Sequence, residues 1–353
     1  MTGRAAAIQG SLAAAGLLAV YLTWQREPER PPGAVTVIDA VKADITHIRY
    51  TDSSNAVDFE RGRDNTGPAM WIHLVPDPKA ESKASANAPK GDKTDKVNKT
   101  KPSNNVPEPP RDLLGSDGAT KMFEEFGPLV SPRGFGVLDG NKLKELGFGA
   151  QVRKLEVTVR GDVRSFEVGQ PEKAAGGEAF LHDTRDGRVY LLPRGILAEL
   201  QNPHHLIDRR LHTFEMADFD RIGLSSGGKQ KEYLQIDREV RGKSSFAPAK
   251  SPDKRDQMAK NWHDAVWRAF PVEILGRGEE PPTGKPAPVL RVEYSDGKKT
   301  LGFLELARAE SPGLSEEASS ADVYARTEHS AGWLKIATGA QLIADGEKLI
   351  AAP

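Results

Sequence analysis

The chain has no cysteine among its 353 residues, which excludes thiol nucleophiles, thiolate metal sites, disulfides and a lipidated cysteine together. It also lacks a net field. Forty-nine basic residues meet 50 acidic ones for a formal charge of −1, so no broad potential draws in nucleic acid or an anionic membrane. There is no H-E-x-x-H helix motif, and aromatics are only 7%. Apolar residues make up 38%, and 34 glycines bring the total near half, within the range of folded globular chains. The length suits about two domains of roughly 100 to 200 residues.

The longest uncharged apolar stretch is at the N-terminus. From Ala5 to Trp24, "AAAIQGSLAAAGLLAVYLTW" runs 20 residues, enough as a helix to cross a bilayer core of about 30 Å. Arg4 precedes it, while Arg26, Glu27, Glu29 and Arg30 cancel after it, which predicts a cytoplasmic N-terminus. Tyr21 and Trp24 then fall at the far interface. The expectation is an uncleaved transmembrane anchor over residues 5–24, the alternatives being a cleaved signal peptide or a soluble helix. The proline-rich "QREPERPPG" reads as an extended spacer, completing a first segment of residues 1–33.

Beyond the spacer, short phrases recur. "KADITHIRY" (Lys42 to Tyr50) is echoed by "MADFDRIGL" (Met216 to Leu224), with Ile45, Ile48 and Tyr50 over Phe219, Ile222 and Leu224. "LEVTVRGDVRSFEV" from Leu155 lies over "LRVEYSDGKKTLGF" from Leu290 at an offset of 135. Both read as strand, Gly/Asp turn, strand. "AFLHDTRDGRVYLLPRGILAEL" from Ala179 resembles "VYARTEHSAGWLKIATGAQLIA" from Val323 at an offset of 144, with Gly195 over Gly339. Three collinear matches predict an internal duplication, a first module over residues 34–212 and a second over 213–353.

The changing offset places an insertion at 79–110, where "KAESKASANAPKGDKTDKVNKTKPSNNVPEPP" is too poor in large apolar residues to offset its ordering entropy. Its lysines come without arginine or aromatics, so a solvated loop is expected over a nucleic-acid or lipid surface. Extra residues in "ARAESPGLSEEASSADV" lengthen the second copy. Each copy is expected to hold one helix. In the second, Ser251 is the expected cap and Met258, Trp262, Val266 and Phe270 the core stripe; in the first, Met122, Phe123 and Phe126 precede a stop at Gly127-Pro128. The expected fold is α+β: the transmembrane helix, then two tandem modules, each a mainly antiparallel sheet with a packed helix.

Motifs for chemistry are sparse. "GLSSG" (Gly223 to Gly227) fits G-x-S-x-G, and "GLSSGGKQ" is one residue short of a P-loop, but the following "KEYLQIDREV" reads as a strand where both motifs need a helix. His204, His205 and His212 lie close in sequence without a partnering carboxylate at fixed spacing, so surface or helix-end histidines are expected rather than a metal site. Glu124 with Glu125, and Glu279 with Glu280, are sequence neighbours and would not face one pocket. No catalytic, cofactor-binding or metal residue is assigned, and no enzyme activity is expected.

The "DITHIRY" opening, the "VYLLPRGILAEL" hairpin and the junction "IDRRLHTFEMADFDRIGL", with Asp208, Arg209, Arg210, Leu211 and Phe214, resemble the domain-of-unknown-function family numbered 4340. The resemblance covers most of the chain after Pro32 and implies a bacterial, membrane-anchored, duplicated protein associated with gliding-type ABC transport systems. It further implies a single-pass inner-membrane protein with its bulk in the periplasm, acting as a non-catalytic accessory or scaffold. Its expected partners are the bilayer through residues 5–24 and ABC permease and ATPase subunits, with no nucleic acid. Gly10 and Gly16 could pack against permease helices. Arg209 and Arg210 would pair with acids across an interface or locally at the junction. The alternatives are a periplasmic ligand-binding module with a pocket between the copies, lined by Trp71, Trp262 or Trp333, and a hydrolase.

Overall fold

Alternating apolar residues separated by Gly/Asp turns fold as hairpins, because period-two patterning turns one strand face to a core. The computed structural model describes residues 16–18, 20–21, 32–53, 55–64, 67–76, 110–149, 152–170, 179–238, 245–309 and 322–352. In chain order, β1 (Val35–Ile38) precedes β2 (Ile45–Thr51), β3 (Asn55–Arg63), β4 (Pro68–Pro76) and β5 (Arg111–Leu114). Helix α1 (Asp117–Phe126), β6 (Leu129–Ser131), β7 (Gly134–Val137) and α2 (Gly140–Glu145) come next. The first half closes with β8 (Lys154–Val159), β9 (Asp162–Gly169), β10 (Phe180–Asp183), β11 (Arg188–Leu191) and α3 (Ile196–Gln201).

The second half opens with β12 (Arg221–Ser226), β13 (Lys229–Ile236), β14 (Ser245–Pro248) and α4 (Gln257–Trp267). It continues through β15 (Pro271–Ile274), β16 (Ala287–Asp296), β17 (Lys299–Ala309), β18 (Asp322–Thr327) and β19 (Leu334–Ile336), and ends in α5 (Gly339–Ala351).

The strands form two large antiparallel sheets and a ribbon of β1 with β6. One sheet runs β5-β4-β3-β2-β8-β9-β10-β11-β7 and the other β14-β13-β12-β16-β17-β18-β19-β15. Remove β5 and the two orders coincide strand for strand. The echoed phrases occupy equivalent strands: Ile45, Ile48 and Tyr50 on β2, and Ile222 and Leu224 on β12 with Phe219 just before it, are all buried. The architecture is thus α+β, mainly antiparallel.

Several expectations change in detail. The expected span over 5–24 lies, apart from residues 16–18 and 20–21, outside the described residues, and among those described no helix is long and apolar enough to cross a membrane. The transmembrane helix is therefore without structural support. The loop expected at 79–110, except Pro110, and most of the lengthening in the second copy, residues 310–321, also fall outside the described residues.

Helix α4 starts at Gln257 rather than Pro252, and its cap is Asp256, whose carboxylate accepts from the Met258 and Ala259 amides at 2.9 and 3.0 Å. Its buried face is Ala259, Trp262, His263 and Val266, while Met258 and Phe270 are exposed. A strict spacing of four drifts about 40° per step around a 3.6-residue helix, so the ends of such a stripe leave the core face. Helix α1 buries Ala119, Met122, Phe123 and Phe126 and ends at a cis Gly127-Pro128 bond, with Ser116 as its cap.

The offset of 135 holds for one strand of the second match only. Leu155 faces Phe166 across β8 and β9, whereas Leu290 faces Leu306 across the longer, bulged β16 and β17. Leu304 and Leu306 therefore take the core positions that the alignment gave to Leu301 and Phe303.

Candidate functional site

Three places concentrate side chains that the fold does not fully absorb. The largest is an apolar groove of about 1190 Å³ on the second half, between α4, the start of α5 and β15. Trp262 and Leu342 lie at its base, and the Trp262 indole N–H donates to the Leu342 carbonyl at 2.8 Å, tying the helices together. Small residues at Ala265, Ala269, Ala337 and Ala340 leave the space open. Met258, Phe270 and Val272 stand 47%, 60% and 57% exposed around it. Its polar rim is Asn261, Arg268, Gln341 and Asp345. Asp345 is held below its ordinary pKa by hydrogen bonds first from Lys348 and then from Gln341. The Arg209 guanidinium lies 5.5 Å from the Phe270 ring centroid, a cation–π contact.

The second place is the junction between the halves. Asp208 is buried, and its carboxylate accepts from Arg210 Nη2 at 2.6 Å and lies 3.0 Å from His329 Nε2. Burial disfavours its charge, but the bonds to His329 and Arg210 outweigh that and hold the carboxyl well below the usual range. The Asp208 amide donates to Leu114 O at 2.8 Å, so this one residue ties β5 to the β18–β19 turn. Nearby, Glu328 lies 3.0 Å from His212 Nδ1 and accepts from the Phe303 amide at 2.9 Å. A small cleft of about 240 Å³ opens beside them, lined by residues that include Arg63, Trp71, Arg277 and His329. Arg277 is stacked 3.4 Å from the Trp71 ring centroid.

The third is an aromatic cage under the second sheet. Tyr294 and His263 are fully buried among Phe219, Phe246 and Trp267. Neither ring nitrogen of His263 has a hydrogen-bond partner, nor does the Tyr294 hydroxyl. Burial drives His263 down to about 3, so its imidazole is neutral at physiological pH. Burial likewise pushes the Tyr294 phenol far above its ordinary value. No nucleophile is paired with these groups, and a neutral, unpartnered imidazole lacks the orienting contact that a general base uses.

The residues singled out by sequence scatter. His204 and His205 are exposed, whereas His212 is buried against Trp267, so the three do not converge. Among the described residues no group of three or more His, Asp or Glu side chains is placed to hold a metal. "GLSSG" runs out of β12 into a hairpin, with Gly227 and Gly228 at φ of 55° and 77° in the turn to β13. Trp71, Trp262 and Trp333 line no common pocket: Trp71 borders the junction cleft, Trp262 the groove, and Trp333 packs on Leu275 and Tyr324. Arg210 pairs locally with Asp208. Glu124 pairs with Lys42, and Glu279 with Arg111, on different parts of the surface. Gly10 lies outside the described residues; Gly16 has nothing within 4 Å of a Cβ built on it.

Sequence reading missed the groove; a pocket between the copies was among its alternatives, and of the three tryptophans named for it only Trp71 lines the junction cleft. The groove's one signal was the pair Phe270 and Val272 flanking Pro271, since alternate apolar residues on a sheet-edge strand need cover.

No family model, no curated protein and no solved structure matches this chain.

Proposed function

We propose that the chain is a membrane-anchored, non-catalytic interaction protein, built from two copies of one module and serving as accessory or scaffold to a transport complex of the ABC type. The observation that carries the interaction role is the groove, where Met258, Phe270 and Val272 remain exposed around a cavity large enough to take a partner segment. The matching strand orders support the duplication. The anchor rests on the sequence alone, on the uncharged apolar run at 5–24. Orientation and the transport association rest on the flanking charges and on the resemblance to family 4340. Extraction in mild detergent followed by affinity purification tests the reading. Permease and ATPase subunits in the eluate, reduced by Phe270→Asp, are expected; a protein recovered alone from the soluble fraction overturns it.

A second reading is favoured by the junction cleft, where Arg277 lies flat on Trp71 with Arg63 and His329 nearby. A small molecule copurifying with the protein, and lost on Trp71→Ala, would assign ligand binding to this cleft instead.

A further inference from the structure

The junction cleft is walled by backbones that meet at glycines. A Cβ on Gly276 would stand 3.0 Å from the Asp112 amide nitrogen of β5, and one on Gly332 would collide with the carbonyl oxygens of Leu275 and Gly276. The turn that carries Arg277 is therefore clamped between β5 and the β18–β19 turn. Its own bonds fix it further, since the Arg277 amide donates to Asp112 O at 2.9 Å and the Gly276 amide to the Glu279 carboxylate at 2.7 Å. On the facing wall Gly62 lets the Trp71 indole lie against β3, because a Cβ there would stand 2.7 Å from Trp71 Cδ1. Arg277 stacks on that indole, and Arg63 follows Gly62 at the end of β3. The third wall is the turn after β18. There the Thr327 amide donates to Ser330 Oγ at 3.0 Å and the Ser330 amide to Thr327 Oγ1 at 3.1 Å, holding His329 and Ser330 at the cleft.

The acids of this cleft are engaged within the protein and its arginines are not. Asp64 accepts from the Gly67 amide at 2.8 Å; Glu328 accepts from the Phe303 amide at 2.9 Å and lies 3.0 Å from His212 Nδ1. Arg63 and Arg277 both line the cleft and are exposed, and among the described residues neither pairs with a carboxylate. A guanidinium laid on an aromatic face keeps its N–H edge free for a two-oxygen acceptor, which is the geometry of carboxylate and phosphate recognition. The volume of about 240 Å³ falls below the range of about 300–1,000 Å³ that drug-sized ligands occupy, so the occupant is small. We infer that the junction cleft binds a small oxyanion, a compound carrying a carboxylate or phosphate group, between Arg63 of the first half and Arg277 of the second. The inference rests on the second reading above, ligand binding at this cleft, and names the class of ligand. Because the two arginines belong to different halves, the bound anion bridges them and stabilises the junction by mass action.

Inorganic phosphate and succinate are the probes, titrated separately into the full chain in mild detergent and followed by isothermal calorimetry, with ethanolamine as a cationic control. Saturable binding of at least one anion and none of ethanolamine is expected, weakened about tenfold or more by Arg277→Met. Methionine keeps an apolar stem on Trp71 and leaves the backbone bond to Asp112 in place, and an unchanged circular dichroism spectrum checks the fold. Arg63→Gln, at an exposed position, is expected to weaken binding in the same direction. Tighter binding of phosphate assigns a phosphate-bearing ligand, and tighter binding of succinate a carboxylate. No saturable binding of either anion, or saturable binding of ethanolamine, overturns the oxyanion assignment. If neither anion binds while a neutral or cationic compound copurifies and is lost on Trp71→Ala, the cleft stands as a ligand site and only the oxyanion class falls. If the anions bind and both arginine variants leave their affinity unchanged, the site lies elsewhere and both readings fall.

Discussion

At the scale of single residues, His263 presents a contrast the protein has made with itself, because Phe123 occupies the matching position of α1. Phe123 is buried without polar atoms; His263 is buried with two unsatisfied nitrogens, each a cost of about 1–3 kcal/mol. Its folded value near 3 lies below the ordinary 6.5, so the folded state binds fewer protons. Stability is therefore whole above the unfolded value and declines as pH falls from 6.5 toward 3. His263→Phe removes this dependence. At pH 5 the substitution is expected to recover about 2 kcal/mol that the parent loses relative to pH 7. Urea denaturation at the two pH values measures it, and equal pH dependence in both proteins would refute the buried, neutral state. The sequence could not reveal this. A histidine four residues after Ala259 and three before Val266 is legible as part of a helix face, but whether hydrogen-bond partners surround it depends on Phe246, Tyr294 and Trp267, most of them distant in sequence.

Elements were far more legible than their contacts. Hairpins at "LEVTVRGDVRSF" and "GLSSGG" come from alternation and from turn residues able to adopt positive φ, and they are present, with Arg160 and Gly161 at 51° and 85° in the first. Alignment fails where a bulge changes the count, as on β17, since one extra residue exchanges the faces of everything after it. The aligned pair Gly195 and Gly339 carries a related lesson. Gly195 sits at φ of 94°, a backbone need; Gly339 has no such conformation and is instead pressed against Val323. The same letter has two causes.

Further along α5, a Cβ on Gly346 would stand 2.6 Å from Leu290 Cδ2 and 3.1 Å from Trp262, where the helix crosses β16 and α4. Helix propensity alone would make Gly346→Ala stabilising by about 1 kcal/mol. Overpacking costs about 1–3 kcal/mol and should prevail. A lowered thermal midpoint is expected, and a raised one would show that the contact relaxes freely.

For the whole molecule, the question is whether two similar halves behave as one body. Their strand orders match, yet β5, absent from the second half, is the strand that touches the partner half: Arg277 N donates to Asp112 O at 2.9 Å, and Arg111 pairs with Glu279 at 3.3 Å. A Cβ on Gly276 would lie 3.0 Å from the Asp112 amide nitrogen, so the backbones meet closely. The matching strand orders were legible in the recurring phrases because each half repeats its own local pattern. The contact between the halves was not, because it is made by residues that the halves do not share: Trp71 with Arg277, and Asp208 with His329. Each pair bridges more than 100 positions of sequence. A cation–π contact with an exposed arginine adds about 0.5–1 kcal/mol, and a hydrogen bond to the buried Asp208 carboxylate about 1.5–3 kcal/mol, so together they are a sizeable fraction of the stability of an ordinary domain. Calorimetry of the full chain is expected to show one unfolding transition. In the double variant Trp71→Ala with His329→Ala it should split into two, the first half melting earlier because Trp71 also leaves its sheet. Two transitions already present in the parent, or a single one persisting in the double variant, would place the coupling elsewhere than at this junction.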